Sequence, residues 1–86
     1  MKLEELRAAL DALDSELIRL LARRASVVEE IWSWKAQHQV ARIDPERELE
    51  LRSRLLAQAE ALGLSTEAIS AILDRIVGVP LREALP

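Results

Sequence analysis

Arg24 and Lys35 are two cations spaced eleven residues apart in a stretch without Gly or Pro. Eleven residues at 100° each turn an α-helix by about 1100°, so the two side chains point within about 20° of each other. Arg24 also interrupts an apolar seam. Leu3, Leu10, Leu17 and Ile31 recur at heptad spacing with Arg24 in their row, and Leu6, Leu13, Leu20, Val27 and Trp34 form the companion row. A guanidinium on the apolar side of a helix loses hydration unless something anionic meets it. A carboxylate of the protein or an anionic ligand can do so, which makes recognition of a small anion the chemistry within reach.

The other reactive residue types narrow the field. The chain has no cysteine, hence no disulfide, thiolate metal site or Cys nucleophile, and its one histidine, His38, makes a His-based zinc site or a Ser-His-Asp triad implausible. The net charge is −3 with basic and acidic residues interleaved, unlike the basic stripe of a nucleic-acid surface. No apolar run has the length of a membrane span, and the start MKLEELRAAL lacks a secretory core. These features predict a cytoplasmic protein with no nucleic-acid or membrane partner. Taken singly, the polar residues read plainly. Arg7 and Lys35 are surface cations, Arg24 snorkels from the seam edge toward Glu29, Glu30 or a partner carboxylate, and Glu46 complements a helix dipole. Trp32 and Trp34 read as packing residues, and His38 is assigned no role.

The elements that must hold these residues follow from periodicity. Leu, Ala, Glu and Arg dominate, with two Gly and three Pro in 86 residues, which predicts an all-α fold and one small domain over residues 1–86. The first helix is predicted over Leu3 to Gln37. At 1.5 Å per residue its length is about 52 Å. A compact domain of this size has a diameter of about 30 Å, so a second chain must cover the seam, and a homodimer is the simplest solution. After a connection over residues 38–43, Asp44-Pro45-Glu46 reads as a helix start, with Asp as N-cap and Pro at the first helical position. Leu51, Leu55, Ala59 and Leu62 continue one face of this second helix, flanked by Leu49 and Leu56, until Gly63 offers a left-handed stop. Ser65 caps a third helix with a core face of Ile69, Ile72, Leu73, Ile76 and Val77, which should kink or end at Gly78 and Pro80.

The residues in combination say more. Arg7 and Leu10, Leu13-Asp14-Ser15-Glu16-Leu17, Leu20-Leu21-Ala22-Arg23-Arg24, Lys35 and Ile43-Asp44-Pro45-Glu46-Arg47-Glu48 together resemble the all-helical class of chorismate mutases over nearly the whole chain. The resemblance implies three helices, one very long, forming an intertwined homodimer. It implies rearrangement of chorismate, a small dianion, to prephenate in phenylalanine and tyrosine synthesis, with no cofactor and no metal. It also makes Lys35, Arg24 and Glu46 the catalytic candidates. Arg24 and Lys35 match cations presented to chorismate, and Arg7 matches the arginine that reaches the other subunit's site. Helical geometry permits that last role, because Arg7 lies about 80–100° around the helix from the other two. Glu46 matches the glutamate that receives the ring hydroxyl. Arg42 stands where some members carry an acidic residue, and is the fifth candidate substrate contact beside Arg7, Arg24, Lys35 and Glu46.

Three departures accompany the resemblance. The family's last helix commonly bears a serine and, four residues on, a glutamine or glutamate; ungapped alignment from Gly63-Leu64 puts Pro80 and Ala84 there. A kink at Pro80 would bring Arg82 or Glu83 inward. Trp32 replaces a frequent glycine, and Pro45 stands where some members have an extra arginine. These differences keep open a relative of chorismate as substrate, by isochorismate–pyruvate lyase or aminodeoxychorismate mutase chemistry. They also keep open a non-catalytic helical dimerisation or regulatory domain, and a partner enzyme of the same pathway that raises a low activity.

Overall fold

The computed structural model describes residues 2–82, which form three α-helices and no strand. The chain falls into two compact units, Met1–Trp34 and Lys35–Pro86. Helix α1 spans Leu3–Gln37, the limits expected from the sequence, with Glu4 and Glu5 in its first turn and Lys35 in its last. Acidic residues at the N-terminus and a cation at the C-terminus both complement the helix dipole.

The first unit is α1 without its last residues, and Ala25 is the one buried residue of that helix. Leu3, Leu6, Leu10, Leu13, Leu17, Leu20, Val27, Ile31 and Trp34 are all 48–61% exposed. The seam exists as periodicity predicts and its side chains stay about half exposed, and no charged residue among those described is buried.

Helix α1 ends in a Schellman turn. The Val40 N–H reaches back to the Lys35 carbonyl at 2.8 Å, and the Gln39 N–H reaches the Ala36 carbonyl at 3.4 Å. This pair of bonds requires a left-handed residue between them, and Gln39 takes that conformation at φ 56°. Glycine is the usual occupant, since any Cβ crowds the following carbonyl there.

In the second unit, α2 (Pro45–Ala61) and α3 (Thr66–Ile76) form a helical hairpin. Asp44 caps α2, its carboxylate accepting the Arg47 N–H at 3.2 Å, with Pro45 opening the helix as expected. Gly63, at φ 77°, closes α2 with a second Schellman turn, the Leu64 N–H donating to the Ala59 carbonyl at 2.9 Å. The Ser65 hydroxyl caps α3 by accepting the Ala68 N–H at 3.2 Å. Ala59 and Leu73 are the buried residues of the hairpin, and Leu51, Leu55, Leu56, Ile69, Ile76 and Val77 are half-buried around them. Two expected core members differ: Leu62 falls on the C-cap of α2 and Ile72 on the outer side of α3, so both are exposed.

The third helix ends rather than kinks. Val77 leaves helical geometry at ψ 118° and Gly78 is left-handed at φ 71°, so Pro80 lies beyond the helix. No kink arises to turn Arg82 inward, and Arg82 is exposed. Glu83 and Ala84 lie outside the described residues. Gly78 has a second constraint, because a Cβ there would overlap the Glu48 carboxylate, whereas Gly63 faces open space.

These turns set stability differences that urea titration resolves. Gln39→Gly should raise the unfolding free energy by about 0.5–1 kcal/mol, the left-handed strain relieved less the added unfolded-state entropy. Gly63→Ala should lower it by about 1 kcal/mol. Gly78→Ala should lower it by a similar amount, since its strain is the same and the Glu48 carboxylate beside it is the movable end of a side chain.

Candidate active site

Each candidate residue is placed by its helix or by the chain next to it. Arg7 and Arg24 both lie on α1 in the first unit, where Arg24 is half-buried and Arg7 exposed. Seventeen residues of helix separate them, about 25 Å along the axis and about 100° around it. One copy of the chain therefore does not bring these two arginines to one place.

Lys35, Arg42 and Glu46 belong to the second unit. The half-buried Lys35 ammonium donates to the Arg42 backbone carbonyl at 3.1 Å, bridging the last turn of α1 and the far end of the connection. This contact joins two of the five candidates, through a main-chain atom of one. Glu46 sits in the exposed first turn of α2, next to Pro45, where the helix dipole favours its negative charge. Its carboxylate takes no partner among the described residues and is open to a donor from a ligand.

Beside Glu46 the hairpin forms a cleft of about 310 Å³, lined by Pro45, Glu48, Leu49, Arg52 and Val77. Leu49 follows Glu46 by three residues and so occupies the neighbouring position on the α2 surface. Arg52 forms the polar back of the cleft. Its guanidinium pairs with Asp74 at 2.9 Å and donates to both the carbonyl and the hydroxyl of Ser70 at 3.4 Å. These bonds cross from α2 to α3 and set the spacing of the cleft walls. Sequence reasoning read Glu48 as part of a motif and Leu49 and Val77 as packing residues, and it passed over Arg52. The spacing from Glu46 to Leu49 carried a signal, but the partners of Arg52 lie 18 and 22 positions away and left no local trace.

Among the described residues no three His, Asp or Glu side chains gather as a metal site, and no helix is long and apolar enough to cross a membrane. Within the second unit, Lys35 is a cation tethered to a main-chain carbonyl and Glu46 an exposed carboxylate.

Comparison with known proteins places the chain in a family. The family described as chorismate mutase type II matches residues 6–82, a span that takes in Arg7, Arg24, Lys35, Arg42 and Glu46. The chain belongs to this family. It is 36% identical over 75 residues to a protein named T-protein from Haemophilus influenzae, covering 87% of this chain and 20% of that protein. It is 33% identical over 76 residues to a T-protein from Enterobacter agglomerans, covering 88% and 20%. The chain thus spans about a fifth of the length of the curated relatives it matches. No solved structure matches it.

The cleft geometry assigns unequal roles to an ion pair. Asp74 is 65% exposed, so Asp74→Asn should cost well under 1 kcal/mol. Arg52→Ala removes all three bonds from a side chain only 28% exposed and should cost about 1–2 kcal/mol. Chemical denaturation of the two variants measures the difference.

Proposed function

We propose that this chain is a chorismate mutase domain, residues 1–86 acting as a single unit that converts chorismate to prephenate. The observation that carries the reading is the family match over residues 6–82, which includes every candidate side chain. The reaction is a concerted pericyclic rearrangement within one molecule, so it calls for no nucleophile, metal or cofactor. What remains for a protein is to hold the reactive diaxial conformer and to stabilise charge that develops as the ether C–O bond breaks. The residues present supply those functions and little else.

In this reading Lys35 donates to the ether oxygen, where negative charge grows in the transition state. Arg24 clamps a carboxylate with its bidentate fork. Glu46 accepts from the ring hydroxyl, and Leu49 and Val77 in the adjacent cleft offer apolar surface to the ring. Arg42 provides a further cation at the connection. Arg7 acts in the site of a second copy, which supports the homodimer. The uncovered leucine seam supports it as well, since a continuous apolar stripe of this size marks a contact surface. The substrate is a soluble dianion, and the protein is read as cytoplasmic.

Steady-state loss of chorismate ultraviolet absorbance, with prephenate identified by acid conversion to phenylpyruvate, tests the assignment. Lys35→Ala and Arg24→Ala should each lower turnover by about 10²–10³-fold. Normal turnover in either variant removes that residue from the mechanism. Sedimentation should give twice the chain mass, and a monomer with full activity would end the two-copy site. Pyruvate among the products would move the reading to lyase chemistry.

A further inference from the structure

We infer that the Arg42 backbone carbonyl is a positioning group for the Lys35 ammonium, built into the turn that ends α1. The inference rests on the catalytic reading of Lys35 and adds what aims that side chain. A lysine on a helix surface has four rotatable bonds and about 2 kcal/mol of rotamer entropy, so by itself it offers a mobile point charge. Here the ammonium is tied at 3.1 Å to the carbonyl of Arg42. An ammonium carries three N–H donors, so one is committed to this carbonyl and two remain for a ligand in fixed directions. A cation aimed before the substrate arrives needs little reorganisation in the transition state.

The local backbone shows how a residue seven positions on returns to Lys35. The Lys35 carbonyl accepts from the His38 N–H at 3.2 Å and from the Val40 N–H at 2.8 Å, so the turn closes on Lys35 itself. Gln39 provides the left-handed step at φ 56° that reverses the chain. Lys35 is therefore held at both ends, its carbonyl by the turn and its ammonium by the segment the turn sends back. That bond also fixes residue 42 two positions before the N-cap Asp44 of α2, the helix that carries Glu46. The turn thus links the aim of the cation to the start of the helix that bears the carboxylate.

The decisive variant replaces the Arg42–Ile43 amide by an ester in the chemically ligated full chain. An ester carbonyl is a weaker acceptor, and both side chains are kept. The Ile43 N–H has no protein acceptor among the described residues, so its loss breaks no other bond. The unmodified protein should show through-hydrogen-bond NMR coupling between the Lys35 Nζ and the Arg42 carbonyl carbon. The ester should lose that coupling, with kcat down about three- to tenfold, the worth of one hydrogen bond, and KM unchanged. Should the ester fail to fold, Gln39→Val, which strains the left-handed turn, should lose coupling and kcat together. Gln39→Asn, which tolerates that conformation, should retain both. No coupling in the unmodified protein, or unchanged kcat in an ester that has lost it, overturns the positioning role while an impaired Lys35→Ala leaves the catalytic reading standing. Normal turnover by Lys35→Ala overturns both.

Discussion

A helix of 35 residues whose apolar seam stays about half exposed is the constraint from which the rest follows. The seam leucines are about half exposed, and the one buried residue on the helix is an alanine. Each leucine moved fully out of water is worth about 1.5–3 kcal/mol, so the stripe is a large driving force for association. A second copy of the same helix offers the complementary stripe. On the proposed two-copy reading, the same association would bring Arg7 of one copy to the site of the other.

The hairpin of α2 and α3 is stabilised differently. Its helices are short and its buried residues few, so directional bonds supplement the packing. Asp44 and Ser65 satisfy the helix starts, Gly63 the end of α2, and Arg52 ties the two helices through Asp74 and Ser70. Arg52 does this because a guanidinium can engage a carboxylate, a hydroxyl and a carbonyl at once. Its consequence is a cleft with a fixed polar back and apolar sides next to Glu46. Gly78 takes a left-handed conformation at φ 71° in the turn after α3, with the half-buried Glu48 carboxylate close by.

Chorismate rearrangement fits such a sparse inventory of side chains. The reaction moves electrons within one molecule, so a protein accelerates it by selecting a conformer and placing fixed charge where charge develops. On the proposed reading the arginines and one lysine carry that work. Pro80 lies past the end of α3, so a donor at that position is not part of the helical frame. The tether between Lys35 and the Arg42 carbonyl would then set the aim of one of the cations.

Sequence alone determined the features governed by neighbours within one or two turns. The limits of α1, the Asp44-Pro45 start, the Gly63 stop and the Ser65 cap were legible because caps and breakers act over three to five residues. Family membership was legible because the resemblance rests on short local stretches such as Leu13–Leu17, Leu20–Arg24 and Ile43–Glu48. Gln39 in a left-handed turn was not, since that conformation is ordinarily signalled by glycine or asparagine. The sequence expected α3 to kink or end near Gly78 and Pro80, and the structure decided for an end, Val77 leaving helical geometry and Gly78 turning left-handed. The partners of Arg52 and the acceptor of Lys35 were likewise decided by tertiary structure. Those bonds depend on the angle of the helical hairpin and the path of the connection, and a one-dimensional spacing carries neither.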